Sequence, residues 1–153
     1  MIRCKPKGMF SWDFFLEGEG HQGVLDFNWM SEQGHITADG IVYDIDKHGV
    51  LSRKWSLIRD GRTVAAIQKS NSFTRSFELT IEDKSFLIRA KSPFGRSFVF
   101  EEGDRTIGSM TPNYPFFRSA TIKTIVPEMD FRTLAFAAWA VILNWRRSAS
   151  ADH

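Results

Sequence analysis

Between residues 10 and 126, apolar and polar positions alternate in short runs, each broken by turn-forming residues. A period of two sets one face of a strand against a core and the other against water. The clearest pair is "RKWSLIRDGRTVAAIQK". Trp55 and Leu57 alternate with polar neighbours, Asp60-Gly61 supplies the turn, and residues 64–69 return. Asp-Gly is a strong hairpin signal because both residues tolerate positive φ. "SFTRSFELTIEDKSFLIRAKS" places Phe73, Phe77, Leu79 and Ile81 on one face, with Ser72, Thr74, Ser76, Glu78, Thr80 and Glu82 on the other. "EDK" then turns the chain into 85–91. Further strands are expected at 10–16, 24–30, 35–38, 41–46, 96–100, 106–110 and 116–126, the last stopped by Pro127. "EEGD" reads as a turn and "TPNYP" as a loop. About eleven strands follow one another as hairpins, with no helix between them and no linker dividing the chain.

The rhythm changes at "LAFAAWAVIL", residues 134–143, where ten consecutive residues are apolar. A membrane span needs about 20 such residues, and Arg132, Asn144 and Arg146-Arg147 bound this run closely. A helix on the outside of a sheet would carry a polar stripe. This one has none, so it is expected to have protein on every side. Ala135, Ala137, Ala138 and Ala140 among Phe136, Trp139, Val141 and Ile142 suit a confined tube. The expected fold is a closed antiparallel barrel of about 12 strands around a central helix at 131–147, forming a single domain over 1–147 with a disordered tail at 148–153. Burial of the six larger helix side chains would contribute roughly 10–18 kcal/mol, comparable with the net stability of a domain at about 5–15 kcal/mol.

Composition agrees with this class. Fourteen Phe and five Trp in 153 residues favour strands and fill a wide interior. The net charge of +2 is too mild by itself to indicate nucleic acid or a membrane. A single cysteine, Cys4, excludes an intramolecular disulfide and any multi-cysteine metal site. "MIRCKPKGMFSW" lacks the apolar stretch of a secretory signal, so a cytoplasmic location is expected.

The segments "GIVYDIDKHG", "KWSLIRDGRTVAAIQK" and "FELTIEDKSFLIRAKSPFGRSFVFEEGDRTIGSM", followed by the apolar helix, resemble the tubby C-terminal-like superfamily. The closest resemblance is to its LURP-one-related branch, which shares its fold with the phospholipid scramblases. It spans 34–147 and rests on the order of strands, turns and helix. It implies the barrel with a central helix and, by analogy with tubby-like domains, binding of phosphoinositides by basic surface residues. "PEMDFRTL" departs from the calcium-binding segment of the scramblases, and no phosphoinositide motif of tubby can be placed on this chain.

Other short motifs have plainer readings. "GEGHQG" matches G-x-G-x-x-G, but a strand-length run follows it where a nucleotide fold needs a helix. "DIDKHGVLSRKW" begins like a calcium loop, yet its twelfth position is Trp55 where a glutamate is required. His21, His35, His48 and His153 are too scattered for a metal pair and read as solvated. No nucleophile stands at a recognisable spacing from a base, so no catalytic residue, cofactor or metal is expected.

Arg75 shares a strand face with Phe73 and Phe77. It is expected at a rim position, or in a structural pair with an acid such as Glu101 or Glu102, or holding an anion at the barrel mouth. Arg89 and Lys91 share a face, and with Arg96, Arg53 and Lys54 they form either a solvated surface or a basic patch for lipid phosphates. Two functions follow. One is a non-catalytic module binding anionic phospholipid or another phosphorylated ligand. The other is a protein–protein interaction scaffold, signalled by an exposed apolar patch. A carrier with an open cavity is disfavoured because the helix fills the barrel.

Overall fold

A computed structural model of the chain describes residues 1–70, 75–114, 118–124 and 129–151. Twelve strands appear in order: β1 (Ile2–Pro6), β2 (Phe14–Gly18), β3 (His21–Phe27), β4 (Gly34–Ala38), β5 (Ile41–Lys47), β6 (Lys54–Arg59), β7 (Arg62–Lys69), β8 (Ser76–Ile81), β9 (Lys84–Ala90), β10 (Phe98–Glu102), β11 (Arg105–Pro112) and β12 (Ala120–Thr124). One helix, α1 (Phe131–Ala151), follows. Each strand pairs antiparallel with its sequence neighbours, and β1 pairs with β12 to close the barrel, Ile2 opposite Ile122 and Cys4 opposite Ala120. Closure leaves no strand edge to template aggregation.

Alternation decides which side chains face inward. Phe14 and Leu16, Trp55 and Leu57, Phe77 and Leu79, and Phe98 and Phe100 are all buried, each pair two residues apart. Helix residues 134–143 are buried around the whole circumference, and the barrel interior is filled by α1. Trp139 shows how the two layers interlock: its indole stacks on Phe27 of β3 at 4.6 Å and donates Nε1–H to the Asp26 carbonyl at 3.3 Å. No helix among the described residues is long and apolar enough to cross a membrane.

The helix start is chemically marked. Asp130 Oδ1 accepts the Thr133 backbone N–H at 2.8 Å and its hydroxyl at 2.7 Å, while the Asp130 carbonyl takes the Leu134 N–H. This is an N-cap, satisfying donors that the first turn leaves unpaired. Asp130→Ala is expected to cost about 1 kcal/mol, read as a lower urea midpoint. An unchanged midpoint would show that the barrel alone fixes the helix start.

The structure corrects several expected boundaries. β1 was not anticipated, although Ile2 and Cys4 alternate inward with Arg3 and Lys5 outward. The strand expected at 10–16 begins only at Phe14, because residues 7–13 form a loop held by Asp13, whose Oδ1 accepts the Phe27 N–H at 2.7 Å. That expected at 24–30 covers 21–27, since Asn28 Oδ1 accepts the Met30 N–H and turns the chain. Likewise β10 starts at Phe98 and leaves Arg96 in a loop. The helix continues to Ala151, so 148–151 are helical where a disordered tail was expected. Phe73, Phe116, Pro127 and His153 lie outside the described residues.

Candidate functional site: the long-loop end of the barrel

The two ends of the barrel differ in chain length and charge. At one end the strands are joined by tight hairpins at Glu19-Gly20, Asp39-Gly40, Asp60-Gly61, Glu82-Asp83 and Gly103-Asp104. Asp60 and Gly61 have φ of 50° and 77°, the positive values that Asp-Gly supplies cheaply. At the other end lie the longer connections 7–13, 28–33, 48–53 and 91–97, the described residues Ser70, Arg75, Asn113, Tyr114, Arg118 and Ser119, and the C-terminal turns of α1. The hairpin turns carry acids and no base, but Arg59, Arg62, Lys84 and Arg105 flank them on the strands, Arg132 of α1 lies near Glu82 and Asp130, and the N-terminal ammonium pairs with Glu19. Among the described residues, the long loops and helix end carry Lys7, Arg53, Arg75, Lys91, Arg96, Arg118, Arg146 and Arg147 against two acids, Asp13 and Glu32. Lys47, Lys54 and Lys69, at strand ends, lie at this same end, as do Asp46 and Asp26, the latter paired with Lys7 at 3.1 Å.

Several of these arginines are structural ties. Arg75 donates to the carbonyls of Gly95 and Ser92, Arg118 to those of Gly8, Met9 and Ser11, and Arg146 to those of Trp29 and Ser31. Arg96 donates to the Tyr114 carbonyl at 2.9 Å. Each also lies over an aromatic ring on the rim: Arg75 over Phe98, Arg96 over Trp145, Arg118 over Trp12 and Arg146 over Phe27, at 4.9–5.9 Å. Burial lowers the pKa values of Arg96, Arg118 and Arg146, but a guanidinium remains charged at neutral pH. A carbonyl satisfies its hydrogens without cancelling that charge. The loops are thus fastened by groups that keep this end positive.

Glu32 is the main counter-charge. Arg147 grips both its oxygens, and Lys47 donates to Oε1 at 2.7 Å. Burial alone would raise the Glu32 carboxyl, but these hydrogen bonds and charges outweigh it and hold the pKa down at about 2. Lys69 lies close by, its ammonium lowered by burial and by the Arg147 and Arg53 charges and raised by Glu32. A cleft of about 460 Å³ opens beside Glu32, lined by Met30, Ser31, Gln33, Lys47, Gly49 and Val50.

The tips of these loops are apolar. Met9, Phe10, Trp29, Met30, Val50, Leu51, Phe94 and Tyr114 are 61–98% exposed, whereas the other large apolar residues counted as exposed, Met1, Phe15, Ile41 and Val42, reach at most 58%. Three loops share one construction. In "GMFS", "NWMS" and "GVLS" the serine N–H returns to the carbonyl of the first residue: Ser11 to Gly8, Ser31 to Asn28, and Ser52 to Gly49, at 3.0–3.4 Å. The two apolar residues occupy the corner of each turn, where polar residues and Gly are usual.

Of the residues expected to form a site, Arg53, Lys54, Arg75, Lys91 and Arg96 gather at this end. Arg53, Lys54 and Lys91 are exposed there. Arg75 reaches the rim as expected, but its guanidinium takes loop carbonyls and not Glu101 or Glu102. Arg89, next to the end of β9, lines a surface pocket of about 520 Å³ with Arg75 and Lys91, and its guanidinium donates to Glu101 at 2.7 Å. The exposed tips were missed because Phe10, Trp29 and Met30 resemble strand positions. The repeated four-residue turn was the signal that distinguishes them.

Other chemistries find little support. Burial pushes the Cys4 thiol pKa far up, the opposite of an activated nucleophile. His21 and His35 pair with Asp39 and Asp44 at 2.6 and 2.7 Å on the outer wall. Among the described residues no three His, Cys, Asp or Glu side chains are grouped to hold a metal. Compared with protein-family models, curated proteins and solved structures, the chain matches none.

Proposed function

We propose that the protein is a non-catalytic binding module whose long-loop end recognises the phosphates of anionic phospholipids. The observation that carries this reading is the separation of charge along the barrel axis, with exposed Arg53, Lys54 and Lys91 added to carbonyl-bound arginines at one end. Such a field draws an anionic surface to that end and turns the acidic hairpins away. Arg53, Lys54 and Lys91 are the contact residues in this reading, while Arg75 and Arg96 position the loops and Arg89, paired with Glu101 beside Lys91, adds less. The resemblance to LURP-one-related tubby-like domains, read from strand and helix order, supports the same class of ligand.

Co-sedimentation with vesicles tests it. Binding is expected to phosphatidylcholine vesicles containing phosphatidylserine or a phosphoinositide, and not to phosphatidylcholine alone. A juxtamembrane basic residue contributes about 1 kcal/mol. Arg53→Ala, Lys54→Ala and Lys91→Ala together should therefore weaken binding on the order of 100-fold, with the melting temperature unchanged. Competition by soluble inositol phosphate would identify a headgroup pocket over a general anionic surface. Binding that ignores lipid charge, or no binding, would overturn the proposal. The exposed apolar tips would then favour a protein-interaction scaffold.

A further inference from the structure

We infer that the apolar turns of the long-loop end insert into the interfacial layer of the bilayer, so that the barrel stands on the membrane with its hairpin end outward. The inference rests on the anionic-lipid reading above and adds to it the depth and direction of binding.

Three turns of identical hydrogen bonding each raise two adjacent apolar side chains at their corner: Met9-Phe10, Trp29-Met30 and Val50-Leu51. Phe94 crowns a fourth loop and is 98% exposed. These turns alternate with strand hairpins around the barrel, so they form separate projections around a rim and not a groove shaped for one helix or strand. Keeping apolar tips projecting into a bilayer needs stiff loops, and the arginine ties to the carbonyls of Met9, Ser11, Trp29 and Ser31 stiffen two of them. Basic residues stand behind the tips: Lys7, Arg53, Lys91 and Arg96 on the loops themselves, and Arg146 of α1 behind Trp29-Met30, whose own loop carries Glu32. With Phe, Trp and Leu at the acyl boundary, those charges fall at the depth of the phosphates. Amphipathic surface elements bury their apolar face about 5–10 Å into this layer, and aromatic rings favour it. A protein partner with apolar pockets is the competing occupant, but it gives no reason for bases around every projection.

The experiment uses the full chain and vesicles of phosphatidylcholine and phosphatidylserine with brominated acyl chains. Trp29 is the exposed indole and Trp12 is half-buried beneath Arg118, whereas Trp55, Trp139 and Trp145 are buried, so the reporter chain carries Trp12→Phe. On binding, the Trp29 fluorescence should shift to shorter wavelength and be quenched by bromine, and Trp29→Phe should lose that signal while still binding. A variant carrying Phe10→Ser, Trp29→Ser, Leu51→Ser and Phe94→Ser should bind about 100-fold more weakly or worse, each tip contributing roughly a threefold factor or more on partial burial. Its melting temperature should not fall, because these side chains are exposed. Salt-sensitive binding to anionic vesicles with no quenching, and equal binding by the four-site variant, would overturn insertion and leave headgroup recognition standing. Absence of vesicle binding by the unmodified chain would overturn both.

Discussion

A chain ending at Thr133 is expected not to fold. Residues 134–143 fill the barrel axis, and the inward faces of twelve strands pack on them. Removing them forfeits roughly 10–18 kcal/mol from six large helix side chains alone, against a net stability of about 5–15 kcal/mol. The loss is greater in practice, because Trp55, Phe77, Phe98 and Phe100 would then face an empty or flooded cavity. The truncated chain should show no cooperative thermal transition and should aggregate. A graded version uses Trp139→Ala in the full chain. It removes the ring stacked on Phe27 and the hydrogen bond to Asp26, and should cost about 3–5 kcal/mol, the range for an aromatic cavity. A truncated chain that melts like the full one would show that the barrel supports itself, and the central-helix account would fail.

That helix was legible because confinement leaves a local mark: ten apolar residues with no polar face can only be surrounded. The hairpins were legible where alternation met a turn residue, as at Asp60-Gly61. β1 was harder to read. Ile2-Arg3-Cys4-Lys5 is only one and a half periods, and its partner β12 lies more than a hundred residues away. The loop end was partly visible. Arg53, Lys54, Arg75, Lys91 and Arg96 are basic and near breaks, but their gathering follows from barrel register, which pairs Lys54 with Gln68 and brings Lys69 to Phe77. The same register sets Arg89 beside β10, where Glu101 neutralises it. The ring of arginines over aromatics joins residues as far apart in sequence as Arg146 and Phe27, and no spacing rule anticipates it. Apolar tips imitate strands in composition. Only the repeated Gly/Asn–apolar–apolar–Ser unit sets them apart.

Glu32→Gln should separate stability from binding at this end. The carboxylate joins loop 28–33 to β5 through Lys47 and to α1 through Arg147, while its backbone carbonyl accepts the Trp55 indole N–H at 2.9 Å. Gln keeps the shape but leaves Arg147 and Lys47 together over Trp55 with no counter-charge. Glu32 titrates near 2 when folded and near the ordinary glutamate value when unfolded. Between those values the unfolded chain binds more protons, so stability rises with pH, is complete above about 5 and fades as pH falls through 2. The shift corresponds to about 3 kcal/mol before screening. With a quarter of the side chain meeting water, a loss of about 2 kcal/mol is the reasonable expectation at neutral pH. Urea titrations of both chains at pH 7 and pH 2 check this: the gap should be largest at pH 7 and nearly close at pH 2. Affinity for anionic vesicles should move the other way, because the substitution removes a negative charge from the membrane-facing end. A parallel fall in stability and affinity would mean that Glu32 serves mainly to hold Trp29 and Met30 in position, and that the field of the loop end matters less than its shape.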